Sequence, residues 1–203
     1  GGIVYLASGG LDLYAADAAT GDIIWQATRE STIDQGKISE NMRGWPRVAS
    51  YAVNGGTLYI AWENRVLEAL NATTGESLWS APITQVPEFS LVGLSMMADD
   101  TGIYLNIEGS QVSQSVQNQL VALNPADGSQ RWSITTPSGL RGNMVLSGNR
   151  LVVAANDVTI TSFDTTSGEL VGAFSLGYNN PDDVALSATG DAIFAVFPSD
   201  TMG

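Results

Sequence analysis

The chain has 203 residues, 44% apolar and 14% charged, with 22 glycines and a net charge of -13. That composition suits a turn-rich globular protein with a real core and argues against nucleic acid or an anionic membrane as partner. It contains no cysteine and no histidine, which excludes disulfides, thiol chemistry, nucleophilic dyads built on those residues, and the usual zinc, copper and haem sites.

In chain order, Ile3 to Ala7 reads as a strand, followed by a turn at Ser8 to Gly10, a strand over Leu11 to Ala16, a corner, and a strand from Asp22 to Thr28. Each such run is short, rich in apolar β-formers and bounded by turn residues. Arg29 to Arg47 is a long loop that holds four of the eight basic residues, the single lysine Lys37 among them, and Trp45 before a proline. Val48 to Val53 begins a set of four strands that turns at Asn54-Gly55-Gly56. It continues through Leu58 to Trp62 and Val66 to Leu70, and ends after a corner at Leu78-Trp79. Pro82 to Phe89 links to strands near Val92 to Met97 and Ile103 to Ile107. The polar insertion Glu108 to Gln119 (EGSQVSQSVQNQ) then precedes Leu120 to Leu123. A more compact set follows: Met144 to Leu146, Leu151 to Ala155, Val158 to Phe163 and Glu169 to Phe174. The pattern restarts at Val184 to Ser187 and Ala192 to Phe197.

The corners repeat. AADAATGDIIW carries Ala15, Asp17, Thr20, Gly21 and Trp25; LEALNATTGESLW carries Ala69, Asn71, Thr74, Gly75 and Trp79. ALNPADGSQRW carries Ala122, Asn124, Asp127, Gly128 and Trp132, and SFDTTSGELVG carries Ser162, Asp164, Ser167 and Gly168 with Gly172 in place of tryptophan. An Asp or Asn four residues before the glycine accepts hydrogen bonds from the turn's own N–H groups, and the glycine takes a positive φ that a side chain resists. The tryptophan four residues later starts a strand with a large apolar group whose indole N–H needs a partner.

The pattern Ala-x-Asp/Asn-x-x-Thr-Gly-x-x-x-Trp resembles the quinoprotein-type (PQQ-like) β-propeller repeat, in which each blade carries four antiparallel strands. The resemblance implies an all-β propeller and structural roles for Asp17, Gly21, Trp25, Asn71, Gly75, Trp79, Asn124, Gly128, Trp132, Asp164 and Gly168. In that family the tryptophan docks against the neighbouring blade. The expected organisation is one propeller domain over 1–203: a partial blade at 1–28, blades at 48–80, 92–134 and 142–175, and a partial blade at 183–203. Seventeen strands do not make whole blades, so an internal part of a longer chain is expected.

In such a blade, links from fourth to first strand and from second to third strand leave on the same face. Arg29 to Arg47 is of the first kind and Glu108 to Gln119 of the second, so both long loops are expected on one face and the tight corners on the other. Arg43, Trp45 and Arg47 form an Arg-aromatic cluster of the kind enriched at interfaces, with Gln111, Gln114 and Gln117 as adaptable polar contacts. The competing reading of Trp45, as packing over a blade end, stays open. Tyr59, Trp62 and Tyr104 read as inter-blade packing. The acidic pairs Asp99-Asp100 and Asp182-Asp183 read as solvated turns, and neither fits a Ca²⁺ loop. Asn71-Ala72-Thr73 is a glycosylation sequon whose asparagine the turn already explains.

Quinone-binding members of the family use a vicinal cysteine pair, calcium-ligating acids and a catalytic aspartate, none of which matches a position here. The expectation is therefore a non-enzymatic scaffold without cofactor that binds a protein partner or another copy of itself. It is placed outside the cell, on its surface or in the periplasm, with neither nucleic acid nor membrane insertion. The scaffold members of the family, such as the propeller lipoprotein of the outer-membrane β-barrel assembly machinery, are the nearest analogy. The alternative is part of a quinoprotein dehydrogenase whose catalytic residues lie outside this segment. The acid-rich, lysine-poor composition fits a saline habitat or an acidic secreted protein.

Overall fold

Burial separates the strands into two kinds, and the sequence pattern shows why. A computed structural model describes residues 2–7, 12–28, 48–63, 65–84, 93–108, 118–136, 144–154, 159–175, 185–189 and 192–196. Among these, most of the second and third strands of the four-stranded sets are largely apolar runs buried on both faces, whereas Thr159–Asp164 buries only Ile160 and Phe163. Thr57–Trp62 is an example of such a run, with every residue from Leu58 onward buried. Fourth strands such as Ile23–Thr28 bury few of their residues, Trp25 among them. A strand covered on both faces reads as unbroken hydrophobics, whereas an outer strand keeps polar residues on its wet face.

The chain forms two compact units, residues 1–84 and 85–203. In the first, β1 (Ile3–Ala7), β2 (Asp12–Asp17) and β3 (Ile23–Thr28) make a three-stranded antiparallel sheet. There β4 (Val48–Asn54), β5 (Thr57–Trp62), β6 (Val66–Asn71) and β7 (Ser77–Pro82) make a four-stranded one in sequential order. In the second unit β8 (Gly93–Ala98), β9 (Ile103–Glu108), β10 (Asn118–Leu123) and β11 (Gln130–Thr136) form one sheet. A second contains β12 (Met144–Ser147), β13 (Arg150–Ala154), β14 (Thr159–Asp164) and β15 (Leu170–Ser175). A final pair is β16 (Ala185–Thr189) with β17 (Ala192–Val196). Within this unit the first strands lie next to one another, β8 beside β12 and β12 beside β16. Successive sheets thus converge on their first strands, as blades do.

The cores lie between sheets. In the first unit Leu13, Ala15 and Trp25 of the first sheet pack with Leu58, Ile60, Trp62, Leu70 and Ala72 of the second. In the second unit Tyr104, Leu120, Ala122 and Trp132 pack with Met144, Leu151, Val153 and Phe163. Among the described residues the strands number the expected seventeen, with several bounds shifted by a residue or two. The polar insertion is shorter than Glu108 to Gln119, because Glu108 pairs with Gly93 and Gln119 with Ile107. Polar side chains at a strand end do not prevent its backbone from joining the ladder.

Candidate partner-binding site

Every Asx-Gly corner closes in the same way. Asp17 Oδ1 accepts from the N–H groups of Ala19 and Thr20 at 2.8 and 3.0 Å. Asn71 Oδ1 accepts from Thr73 and Thr74 at 2.9 and 3.0 Å, and Asp164 Oδ1 from Thr166 and Ser167 at 2.9 and 3.0 Å. Asn124 Oδ1 accepts from Ala126 at 3.1 Å. The glycines take φ of +77°, +74°, +72° and +75° at 21, 75, 128 and 168.

The residue before the glycine has its own task. Its side-chain oxygen accepts from the N–H of the residue after the glycine: Thr20 from Asp22, Thr74 from Glu76, Asp127 from Ser129 and Ser167 from Glu169. Any short oxygen-bearing side chain can do this, which explains why Asp127 and Ser167 replace threonine without loss of the turn.

These bonds set the acid strength of the corners. The Ala19 and Thr20 amides hold Asp17 below the usual carboxylate value, and those of Ser167 and Thr166 do the same for Asp164. For Asp127 the Ser129 hydroxyl, followed by the Ser129 amide, has the same effect. Each donor favours the ionised form.

Register places a row of three residues across each of the first three sheets. Tyr5 pairs with Ala15 and Ala15 with Trp25; Tyr59, Ala69 and Trp79 repeat this, as do Tyr104, Ala122 and Trp132. The central alanines are fully buried, and the flanking rings lean together above them with centroids 6.1 to 6.2 Å apart. Alanine is needed because a larger side chain would hold the rings apart. The fourth sheet has Val152, Ser162 and Gly172 at these positions.

Two indoles are seated on the corner of the following sheet. Trp25 Nε1 donates to Ala72 O at 3.0 Å and Trp132 Nε1 to Thr165 O at 3.1 Å; in each case the acceptor directly follows the Asx of the corner. A methyl group on Gly75 would lie 2.7 Å from Trp25 Cε3, and one on Gly168 would lie 2.8 Å from Trp132 Cδ2. Trp62 and Tyr104 lie in the two clusters between sheets. Tyr59 is buried beneath Trp79 of its own sheet, and Trp79 is half-buried.

The partner-binding candidates Arg43, Trp45, Arg47, Gln111, Gln114 and Gln117 lie outside the described residues. Their loops leave from described strand ends. Residues 29–47 join the ends of β3 and β4, and 109–117 join β9 to β10; each loop leaves its sheet at the end opposite the Asx-Gly corner.

At the loop end of the first unit, beside Ala7 and Val48, a cleft of about 470 Å³ opens between the first two sheets, lined by Tyr5, Leu6, Tyr14, Trp25 and Tyr51 among others. No charged side chain lines it. It offers apolar surface and hydroxyl groups, which suit an apolar side chain. Sequence reasoning missed Tyr14 and Tyr51; their signal was an aromatic in a polar or edge position of a strand, with Tyr51 59% exposed.

Asp99 organises its own turn, accepting from the amides of Thr101 and Gly102 at 2.7 and 2.8 Å. Asp182-Asp183 lies outside the described residues. Among the described residues no three His, Cys, Asp or Glu side chains converge as a metal site, and no helix is long and apolar enough to cross a membrane. With no cysteine in the chain and no acid cluster of that kind, these residues do not fit a calcium-bound quinone.

Antiparallel four-stranded sheets joined by indole-on-glycine corners define a PQQ-repeat β-propeller fold. The chain belongs to the family described as "Outer membrane protein assembly factor BamB", whose model matches residues 1–114 and 100–195. It is 28% identical over 123 residues to the protein of that name from Alkalilimnicola ehrlichii, covering 61% of this chain and 31% of that protein. The crystal structure of BamB from Moraxella catarrhalis is similar at a TM-score of 0.64 and 16% identity, over 96% of this chain and 53% of that one. Quinohemoprotein alcohol dehydrogenase from Comamonas testosteroni is similar at 0.62 and 16% identity, over 96% and 38%. The chain thus spans about half the length of the first solved structure and about a third of the curated relative.

Proposed function

We propose that this protein is a non-catalytic propeller scaffold of the cell envelope that binds a protein partner through its loop face. The family match over most of the chain carries this reading, because the relatives that share it are named as outer-membrane protein assembly factors. The absence of cysteine and of a converging acid cluster among the described residues also favours a scaffold over a quinone enzyme.

On this reading Arg43, Trp45 and Arg47 anchor the partner, and Gln111, Gln114 and Gln117 add polar contacts. The first loop gathers half of the basic residues on a chain of net charge -13, so the complementary partner surface is acidic. The domain is one propeller over 1–203 that forms part of a larger one.

Adding PQQ and Ca²⁺ tests the reading against the enzyme alternative. No quinone-dependent absorbance change and no dye reduction with alcohols are expected. A saturable absorbance change coupled to dye reduction would favour a quinoprotein dehydrogenase.

A further inference from the structure

Among the described residues seven glycines take a positive φ, and one residue that is not glycine does so: Arg65, at +66°. A side chain at such a φ costs stability, because its Cβ crowds the following carbonyl oxygen. Elsewhere this chain meets the same demand with glycine. Hairpins that end a short link on a left-handed residue ordinarily use glycine there too.

The backbone at Arg65 is fixed from both sides. Its N–H donates to Trp62 O at 2.9 Å, closing the link from β5 to β6, and its C=O accepts from the N–H of Ile83 at 2.7 Å. Ile83 is buried, so that second bond is sheltered from water. Val48 pairs with Trp62, which puts Arg65 at the end of the sheet where residues 29–47 enter β4, opposite the Asn71–Gly75 corner. The arginine itself is half-buried. A rigid backbone thus carries a guanidinium at the loop end, in a place that glycine would fill without strain.

Charge is sorted along the first unit. Every basic residue in 1–84 is either within residues 29–47 or is Arg65, whereas Asp17, Asp22 and Glu76 lie at the corner end. Arg65 is therefore the single basic residue among the described residues of that unit.

We propose that Arg65 specifies the partner at the loop face, its left-handed backbone holding the guanidinium where it meets a carboxylate in an acidic segment of the partner protein. This rests on the reading of the chain as a scaffold that binds through that face. A guanidinium takes a carboxylate through two parallel N–H···O bonds, and a backbone fixed before binding loses less freedom on association. A lipid phosphate is the poorer occupant, because a net charge of -13 opposes an anionic membrane.

Fold and binding pull in opposite directions at this position, which separates them. In the complete gene product Arg65→Gly should raise the melting temperature by about 2 to 4 °C by relieving the strain. In the same variant about tenfold less protein should sediment in its complex from solubilised envelope. Arg65→Lys keeps the charge and supplies an amine that a carbodiimide joins to a carboxylate. Mass spectrometry of the treated complex should find position 65 linked to an Asp or Glu of another protein. An Arg65→Gly variant that melts higher and keeps its place in the complex would overturn the proposal and leave the scaffold reading intact. Links from position 65 only to this chain's own acids, such as Glu63 or Glu68, would overturn it as well. A wild type that sediments in no complex would sink the scaffold reading itself, and this assignment with it.

Discussion

Trp25 lies over Gly75, so close that a methyl group on the glycine would sit 2.7 Å from the indole ring, while the indole N–H is bonded to Ala72 three residues before that glycine. One corner therefore serves two ends. It turns its own chain between third and fourth strands, and it receives the aromatic anchor of the preceding sheet.

Removing a seated indole empties a buried site and leaves a carbonyl without its donor. Trp25→Ala and Trp132→Ala should each cost about 3 to 5 kcal/mol, since both indoles are 9% exposed. Trp79 is only half-buried, so Trp79→Ala should cost less. Denaturant titration of each variant checks this; losses under about 1 kcal/mol at Trp25 and Trp132 would remove the anchors from the account.

The glycines separate conformational strain from steric contact. In the 203-residue chain Gly21→Ala should cost about 1 to 2 kcal/mol, the penalty for a side chain at left-handed φ. Gly75→Ala and Gly168→Ala carry the same strain and add a clash with a ring, for about 1 to 3 kcal/mol more from overpacking. Equal losses at all three positions in urea melts would mean that the indoles shift freely away.

Asp17 and Asp164 have folded-state acidities lowered by turn amides, so the ionised form is favoured by the fold. That stabilisation is fully present above the unfolded-state pKa of about 4 and is lost as pH falls through the lower folded value. Acid unfolding followed by circular dichroism should therefore be less steep in the Asp17→Asn, Asp164→Asn double variant. An unchanged acid limb would show that the corner carboxylates do not couple to folding. Asn71 and Asn124 do not titrate and already keep their turns.

A net charge of -13 on 203 residues sets up repulsion that salt screens. The melting temperature should rise between dilute buffer and molar NaCl. A flat or falling response would leave an ordinary acidic protein and remove the saline-habitat reading.

The fold was legible because its signals are local and repeated. Asp17, Asn71, Asn124 and Asp164 each precede a glycine by four residues, and the Oδ1 of each accepts from residues two or three positions further on. The tryptophan seats were legible only through resemblance, because the bond from Trp132 to Thr165 spans 33 residues and no local pattern encodes it. The Tyr5–Ala15–Trp25 row was missed for a related reason. Cross-strand neighbours follow from register, and a bulge beside Ala15 shifts that register where the row is read. The aromatic cleft between the first two sheets was missed as well, since Tyr14 and Tyr51 meet only once two sheets are packed.

Arg43, Trp45 and Arg47, between β3 and β4 in sequence, are the proposed partner anchor. The most direct test replaces all three together, as Arg43→Ser, Trp45→Ala and Arg47→Ser, in the complete gene product. Sedimentation of solubilised envelope would then report whether the protein still travels in a complex. The wild type should sediment with its partner and the variant alone, with a stability within about 1 kcal/mol of wild type. A variant that keeps its place in the complex, or one that unfolds because Trp45 covers a blade end, would contradict that assignment.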